Sequence, residues 1–224
     1  MSDKNRQVMI RICCMIIIPL VSIIHVALNT YRENMHNISI ILDDWIPFVP
    51  AFSIPYLYWF LYVFAGLLYF AIMDGKYYFR LLGSIVVGMC LSFVFFYFYP
   101  TTVVRPEILG NGLMERSVAY IYSMDNPYNC FPSIHVLNAM LVTMFLCSYR
   151  KSLRVWGVSI FSCAAIILST LFVKQHYVLD AVGGIILSTG VYLFFMNENF
   201  WNSIPMQRVM ALFTHPRPGN DPNI

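Results

Sequence analysis

Between Ile54 and Met73 the chain runs for twenty residues without one charged side chain. A helix needs about 20 residues to cross a hydrocarbon core roughly 30 Å thick, so this stretch is long enough to span a bilayer. Five more runs of similar character follow the same rule: Ile12 to Leu28, Leu81 to Tyr99, Pro132 or Ser133 to Tyr149, Val155 to Val173, and His176 to Met196. In lipid every backbone amide must be paired within its own segment or in a closed barrel, and runs of this length therefore read as helices. The expected fold is all-α, a membrane bundle of six spans. Composition agrees, with 59% hydrophobic and 11% charged residues against about 25% charged in a soluble domain.

Basic residues between the spans give the orientation. With a cytoplasmic N-terminus, ten fall inside (Lys4, Arg6, Arg11, Lys76, Arg80, Arg150, Lys151, Arg154, Arg208 and Arg217) and four outside (Arg32, Arg105, Arg116 and Lys174). Both termini are expected in the cytoplasm, in a cell membrane. The basic start of the chain also fits a secretory signal, but the apolar run is long for a signal core and no small-residue cleavage site follows Leu28. The membrane domain is read as residues 1–213. A tail from 214 to 224, rich in proline, is expected to be disordered. The net charge of +3 is accounted for by inside loops and gives no reason to invoke nucleic acid. Oligomeric state is left open by the sequence.

Of the six cysteines, at 13, 14, 90, 130, 147 and 163, only Cys130 falls outside the expected spans. No pair has metal-ligand spacing, and neither a metal nor another cofactor is expected.

Charges near membrane depth are costly, so their positions are informative. Three polar clusters stand at the outer ends of the expected spans: TTVVRPE around Arg105, NCFPSIH ending at His135, and KQHYVLD from Lys174 to Asp180. His176 and Asp180 are four apart, which on a helix puts both on one face. The carboxylate can then hold one imidazole nitrogen and leave the other free as a nucleophile or base. The same spacing is common in simple surface pairs. Arg105 offers a donor fork for phosphate and Lys174 a point charge, although both residue types also serve as interfacial anchors. Pro132 suits the first turn of a helix, whose free amides and Ser133 would face an anion. His135 can deliver a proton to a leaving oxygen.

Taken together, the clusters resemble the three-part signature of the type 2 phosphatidic acid phosphatase (PAP2) superfamily, K-x6-R-P, P-S-G-H and S-R-x5-H-x3-D. Arg105 and Pro106 match the first motif, Pro132, Ser133 and His135 the second, and Ser169, His176 and Asp180 the third. Three positions depart: Phe98 stands for the lysine, Ile134 for the glycine and Thr170 for the arginine. The F-P-S-Ile-H and KQHY forms, with DDWIPFVP from Asp43 to Pro50, are similar to the inositol phosphorylceramide and sphingolipid synthase branch.

The resemblance implies catalysis by His135, His176 and Asp180, with Arg105, Ser133 and Lys174 binding phosphate. It implies a lipid phosphate substrate, membrane lipids as surroundings, an extracytoplasmic active site and a phosphohistidine on His176. Hydrolysis of a phosphorylated lipid is the expected reaction, and transfer to an alcohol, ceramide or diacylglycerol acceptor is the alternative. A non-catalytic transporter or scaffold is a minor one, since it would need polar residues at span midpoints. His25 is read as a packing histidine, Tyr56 and Trp59 as belt or packing aromatics, and Asp43 and Asp44 as solvated loop charges. Tyr128 and Asn129 are placed near a head group.

Overall fold

A computed structural model describes residues 3–203; the expected disordered tail at 214–224 lies outside them. Among the described residues ten α-helices follow one another: α1 Asp3–Cys14, α2 Ile17–Leu28, α3 Ile41–Trp45, α4 Ser53–Met73, α5 Gly75–Phe98, α6 Leu113–Met124, α7 Ile134–Tyr149, α8 Leu153–Phe172, α9 Val178–Met196 and α10 Glu198–Trp201. A short 3₁₀ turn, Pro50–Phe52, leads into α4. The all-α expectation holds for this part of the chain. Helices α1 and α2 together, α4 with its 3₁₀ turn, α5, α8 and α9 are long and apolar enough to cross a membrane, which makes five candidate spans where six were expected.

The missing sixth is α7, which has only 16 residues, about 24 Å of helix. Its position explains the shortfall. It packs against α4, α5, α8 and α9, and nine of its side chains, from Ile134 to Phe145, are buried. A helix sheathed by protein need not match the lipid thickness. Small residues permit the close packing: a Cβ on Gly66 of α4 would lie 2.5 Å from a methyl of Val142.

Several boundaries differ from the sequence reading. The span expected from Leu81 starts at Gly75, because Asp74 caps α5 by accepting from the amides of Lys76 and Tyr77 at 2.9 and 3.1 Å. The connection left between the spans expected to end at Met73 and to begin at Leu81 is therefore one residue long, and Arg80 is a buried helical residue paired with Glu198 at 2.7 Å. The first span breaks at Met15–Ile16, four residues before Pro19, whose ring clashes with the carbonyl at that distance.

At one end of the bundle the termini of α2, α4, α5, α7, α8 and α9 meet. Backbone bonds tie the connecting segments there: His36 to Pro100 at 2.9 Å, Asn129 to Thr101 at 2.6 Å, Val49 to Phe172 at 2.9 Å, and Ser133 to Asp180 at 3.0 Å. The opposite end is closed by Arg11, which donates to the Ala71 carbonyl at 3.0 Å, and by the Lys76–Glu198 and Arg80–Glu198 pairs.

Candidate active site

Two turns bring the histidines together. After α8 the chain reverses through Lys174, which has a left-handed φ of 54°, and the amides of Gln175 and His176 both donate to the Thr170 carbonyl at 3.0 and 3.1 Å. His176 therefore sits in the turn before α9, not on the helix face that its spacing to Asp180 predicts. Asp180, in the first turn of α9, folds back to accept from the Tyr177 amide at 2.8 Å. That capping geometry, not helical periodicity, puts its carboxylate 3.4 Å from His176 Nδ1. The contact is long and lacks the alignment of a hydrogen bond, as catalytic contacts without substrate often do.

The other turn precedes α7. Pro132 lies outside the helix, after a cis peptide bond, and Ser133 is the N-cap, its hydroxyl accepting from the Val136 amide at 3.4 Å. This corrects the placement of Pro132 in the first turn, because the capping serine takes the position at the helix start. The Ser133 amide donates to the Asp180 carbonyl, and a Cβ on Gly184 would lie 2.8 Å from the Ser133 carbonyl oxygen. Only glycine lets α9 come this close to the entry of α7. His135 then projects toward His176, with Nδ1 3.5 Å from His176 Nε2. Its ring is held by Tyr56 and Trp59, with centroids 4.7 and 4.4 Å away.

A cavity of about 420 Å³ opens in front of the pair, within the roughly 300–1,000 Å³ usual for small-ligand sites. His135 and His176 line it, as do Ile134 and Asn138 of α7. Ile18, Ser22 and His25 of α2 also face it, at the spacing of one helix face, so it extends about 10 Å along that helix. Its polar rim is Asp125, Asn126, Tyr128, Asn129 and Gln175. Among the described residues no lysine or arginine lines it.

The expected phosphate cations stand behind this wall. Arg105 lies over the Tyr122 ring, 4.3 Å from its centroid, and donates to the carbonyls of Tyr122 and Asp125 at 3.3 and 2.6 Å and to the Gln175 side chain. Its Nε is buried without a partner among the described residues. Burial lowers its pKa from the ordinary value, against the opposing pull of Asp125, and a guanidinium remains charged under that load. Lys174 donates to the Asp43 carbonyl at 2.8 Å. Asp43 itself is buried and accepts from the amides of Ile40 and Val178, both at 2.8 Å. That overturns its reading as a solvated loop charge: it caps α9 and fastens α3 across the turn that carries His176.

The departures from the motif have structural counterparts. Phe98 is 77% exposed and is not part of the cavity wall; Ile134 is. Thr170 is buried, and its hydroxyl donates to the Ile167 carbonyl at 2.7 Å. His25 does pack, on Phe96 at 5.8 Å between centroids, but it also faces the cavity. Sequence reasoning did not single out Asp125 or Gln175. An isolated Asp-Asn pair in a loop carries no periodic or motif signal, and the chemistry of the KQHY form points to its lysine and histidine, not to its glutamine. Cys130 is buried and free, and burial, with the nearby Asp180 carboxylate, pushes its thiol pKa well above the ordinary range.

The chain belongs to the PAP2 superfamily, whose family model matches residues 34–194. That range contains all three clusters and both histidines. Membership gives phosphatase- or phosphotransferase-type chemistry on lipid phosphates as the class of reaction. No curated protein and no solved structure matches the chain.

Proposed function

We propose that the protein is a membrane lipid phosphatase that hydrolyses a phosphorylated lipid through a phosphohistidine on His176, at the extracytoplasmic face of a cell membrane. The observation that carries this reading is the bracketing of one imidazole: Asp180 lies on its Nδ1 side and His135 on its Nε2 side. With the Nδ1 proton directed at the carboxylate, Nε2 keeps its lone pair for phosphorus. The N–P bond forms as the bond to the lipid oxygen breaks, and His135 in its protonated form gives its proton to that oxygen. Water then attacks phosphorus, passes a proton back to His135, and the N–P bond breaks to release phosphate. The free first-turn amides of α7 supply donors for phosphoryl oxygens, with the Ser133 hydroxyl at the helix start and the Arg105 guanidinium contributing from behind the cavity wall. Lys174 adds positive charge from behind the turn.

Transfer to an alcohol acceptor is the second reading, favoured by one observation. The described cavity wall has Asp125 but no lysine or arginine, so a dianionic terminal phosphate finds less compensation there than a monoanionic phosphodiester. Product analysis separates the two. Phosphatidate without acceptor, and a phosphodiester lipid with diacylglycerol or ceramide, are given to the purified enzyme. Hydrolysis predicts inorganic phosphate from phosphatidate. Acceptor-dependent head-group exchange with negligible phosphate release would sink it. Sidedness is read separately from cysteines placed at Gly112 and Lys151, of which only the first is expected to react with an impermeant reagent from outside.

A further inference from the structure

We propose that Cys130, His176 and Asp180 form a binding site for a soft divalent cation of the zinc type, and that filling it arrests the enzyme. The donor atoms of these three side chains lie within 4.8 Å of one another, and all three residues are buried. His176 Nδ1, which faces the Asp180 carboxylate at 3.4 Å without the alignment of a hydrogen bond, and Asp180 Oδ1 have no hydrogen-bond partner among the described residues. Buried polar atoms without partners are uncommon and call for a reason.

The third ligand is held in place by its backbone. The Cys130 amide donates to Thr101 Oγ1 at 2.9 Å, and the Phe131 amide donates to the same oxygen at 3.1 Å. The thiol has no part in phosphoryl transfer. A sulfur, nitrogen and oxygen set suits zinc, cobalt or cadmium, whereas magnesium and calcium prefer oxygen alone. Zinc–ligand lengths put tetrahedral donors roughly 3.6 Å apart, so the trio must contract by about 1 Å. His176 lies in a turn, not in a helix, and can follow.

The cavity reaches both Cys130 and His176, which gives an ion a path from outside and leaves water as fourth ligand. Coordination releases the thiol proton and takes up the imidazole and the carboxylate together. Inhibition rests on the reading of His176 as nucleophile; binding does not.

The test uses purified full-length protein in detergent, freed of metal. Added cobalt(II) is expected to give thiolate-to-cobalt charge-transfer absorption at one ion per chain. The band should be lost in Cys130→Ala and kept in a variant whose other five cysteines are replaced. With a lipid substrate, zinc should inhibit, chelator should reverse it, and Cys130→Ala should raise the half-inhibiting zinc concentration at least about tenfold, the loss that even a change outside the ligand set produces. Absence of the band in the variant that retains only Cys130, or equal zinc sensitivity with and without Cys130, would overturn the proposal. If no lipid is turned over at all, the cobalt band still decides whether the site exists.

Discussion

Asp43 Oδ1 accepts the Val178 amide at 2.8 Å across 135 positions of sequence. A carboxylate of α3 thus supplies the N-terminal acceptor for the helix that carries Asp180, while its own backbone carbonyl holds Lys174. Removing it should loosen the turn between α8 and α9. Asp43→Ala is expected to cost about 0.5–2 kcal/mol, as loss of a helix cap does, and to lower turnover as well. Asp43→Asn, which keeps one acceptor, should recover much of both. Thermal unfolding and activity of the two variants check this; equal stability of Asp43→Ala and the parent would show that the cap is idle.

The chemistry at His176 gives a sharper test. His176→Ala should abolish turnover and covalent labelling, whereas His135→Ala is expected to accumulate label from a donor with a good leaving group. Asp180→Asn should keep the fold and lose about three to four orders of magnitude in rate, by analogy with loss of the orienting carboxylate in other triads. Acid-quenched trapping of labelled phosphate reads all three. Label persisting on His176→Ala would remove that residue as nucleophile.

Gly184 is where α9 meets the entry of α7. An added Cβ would stand 2.8 Å from the Ser133 carbonyl and 3.0 Å from Val136 Cβ, and neither backbone nor a buried valine yields easily. Gly184→Ala is expected to destabilise by about 1–3 kcal/mol, as overpacking does, and to reduce activity by pushing His135 away from His176. Gly190 is the control, since a Cβ there would meet nothing within 4 Å: Gly190→Ala should leave activity unchanged.

The far end of the bundle offers a test by pH. Hydrogen bonds from Lys76 and Arg80 hold the Glu198 carboxyl down at about 2. A depressed carboxyl contributes stability above its ordinary range and loses it as pH falls through the folded value. The parent should therefore unfold at a higher temperature than Glu198→Gln at neutral pH, and the gap should close only as pH drops below about 4. A gap that stays constant down to about pH 3, already below the ordinary carboxyl value, would show that charge is not its cause.

How much of this was legible beforehand depends on which physical signal carried it. Apolar runs such as Ile54 to Met73 report candidate membrane spans by length and composition alone, and three polar clusters at the ends of such runs have few places to go but together. The i,i+4 spacing of His176 and Asp180 anticipated their proximity for a wrong reason, since a capping turn and not a helix brings them close. Asp43 looked like a solvated loop charge because its partner amide is 135 positions away. The short α7 is hidden for the same kind of reason: only its four helical neighbours reveal that it need not reach across lipid by itself.

Arg105 was expected to grip phosphate, yet most of its donors are spent on the Tyr122 and Asp125 carbonyls and on Gln175. Gln175 is also on the cavity rim, directly before His176, so the guanidinium sets the position of the rim as much as it offers charge. A lysine cannot reproduce a planar fork that bonds three oxygens from one place. Arg105→Lys should therefore cost about 100-fold in kcat/KM, the scale expected when a reacting group is displaced by about 1 Å, even though the charge is kept. Gln175→Ala should produce part of the same loss without removing any charge. If Arg105 acted through charge alone, Arg105→Lys would stay close to the parent and Gln175→Ala would be silent, and steady-state kinetics of the two variants against one lipid substrate distinguish these outcomes.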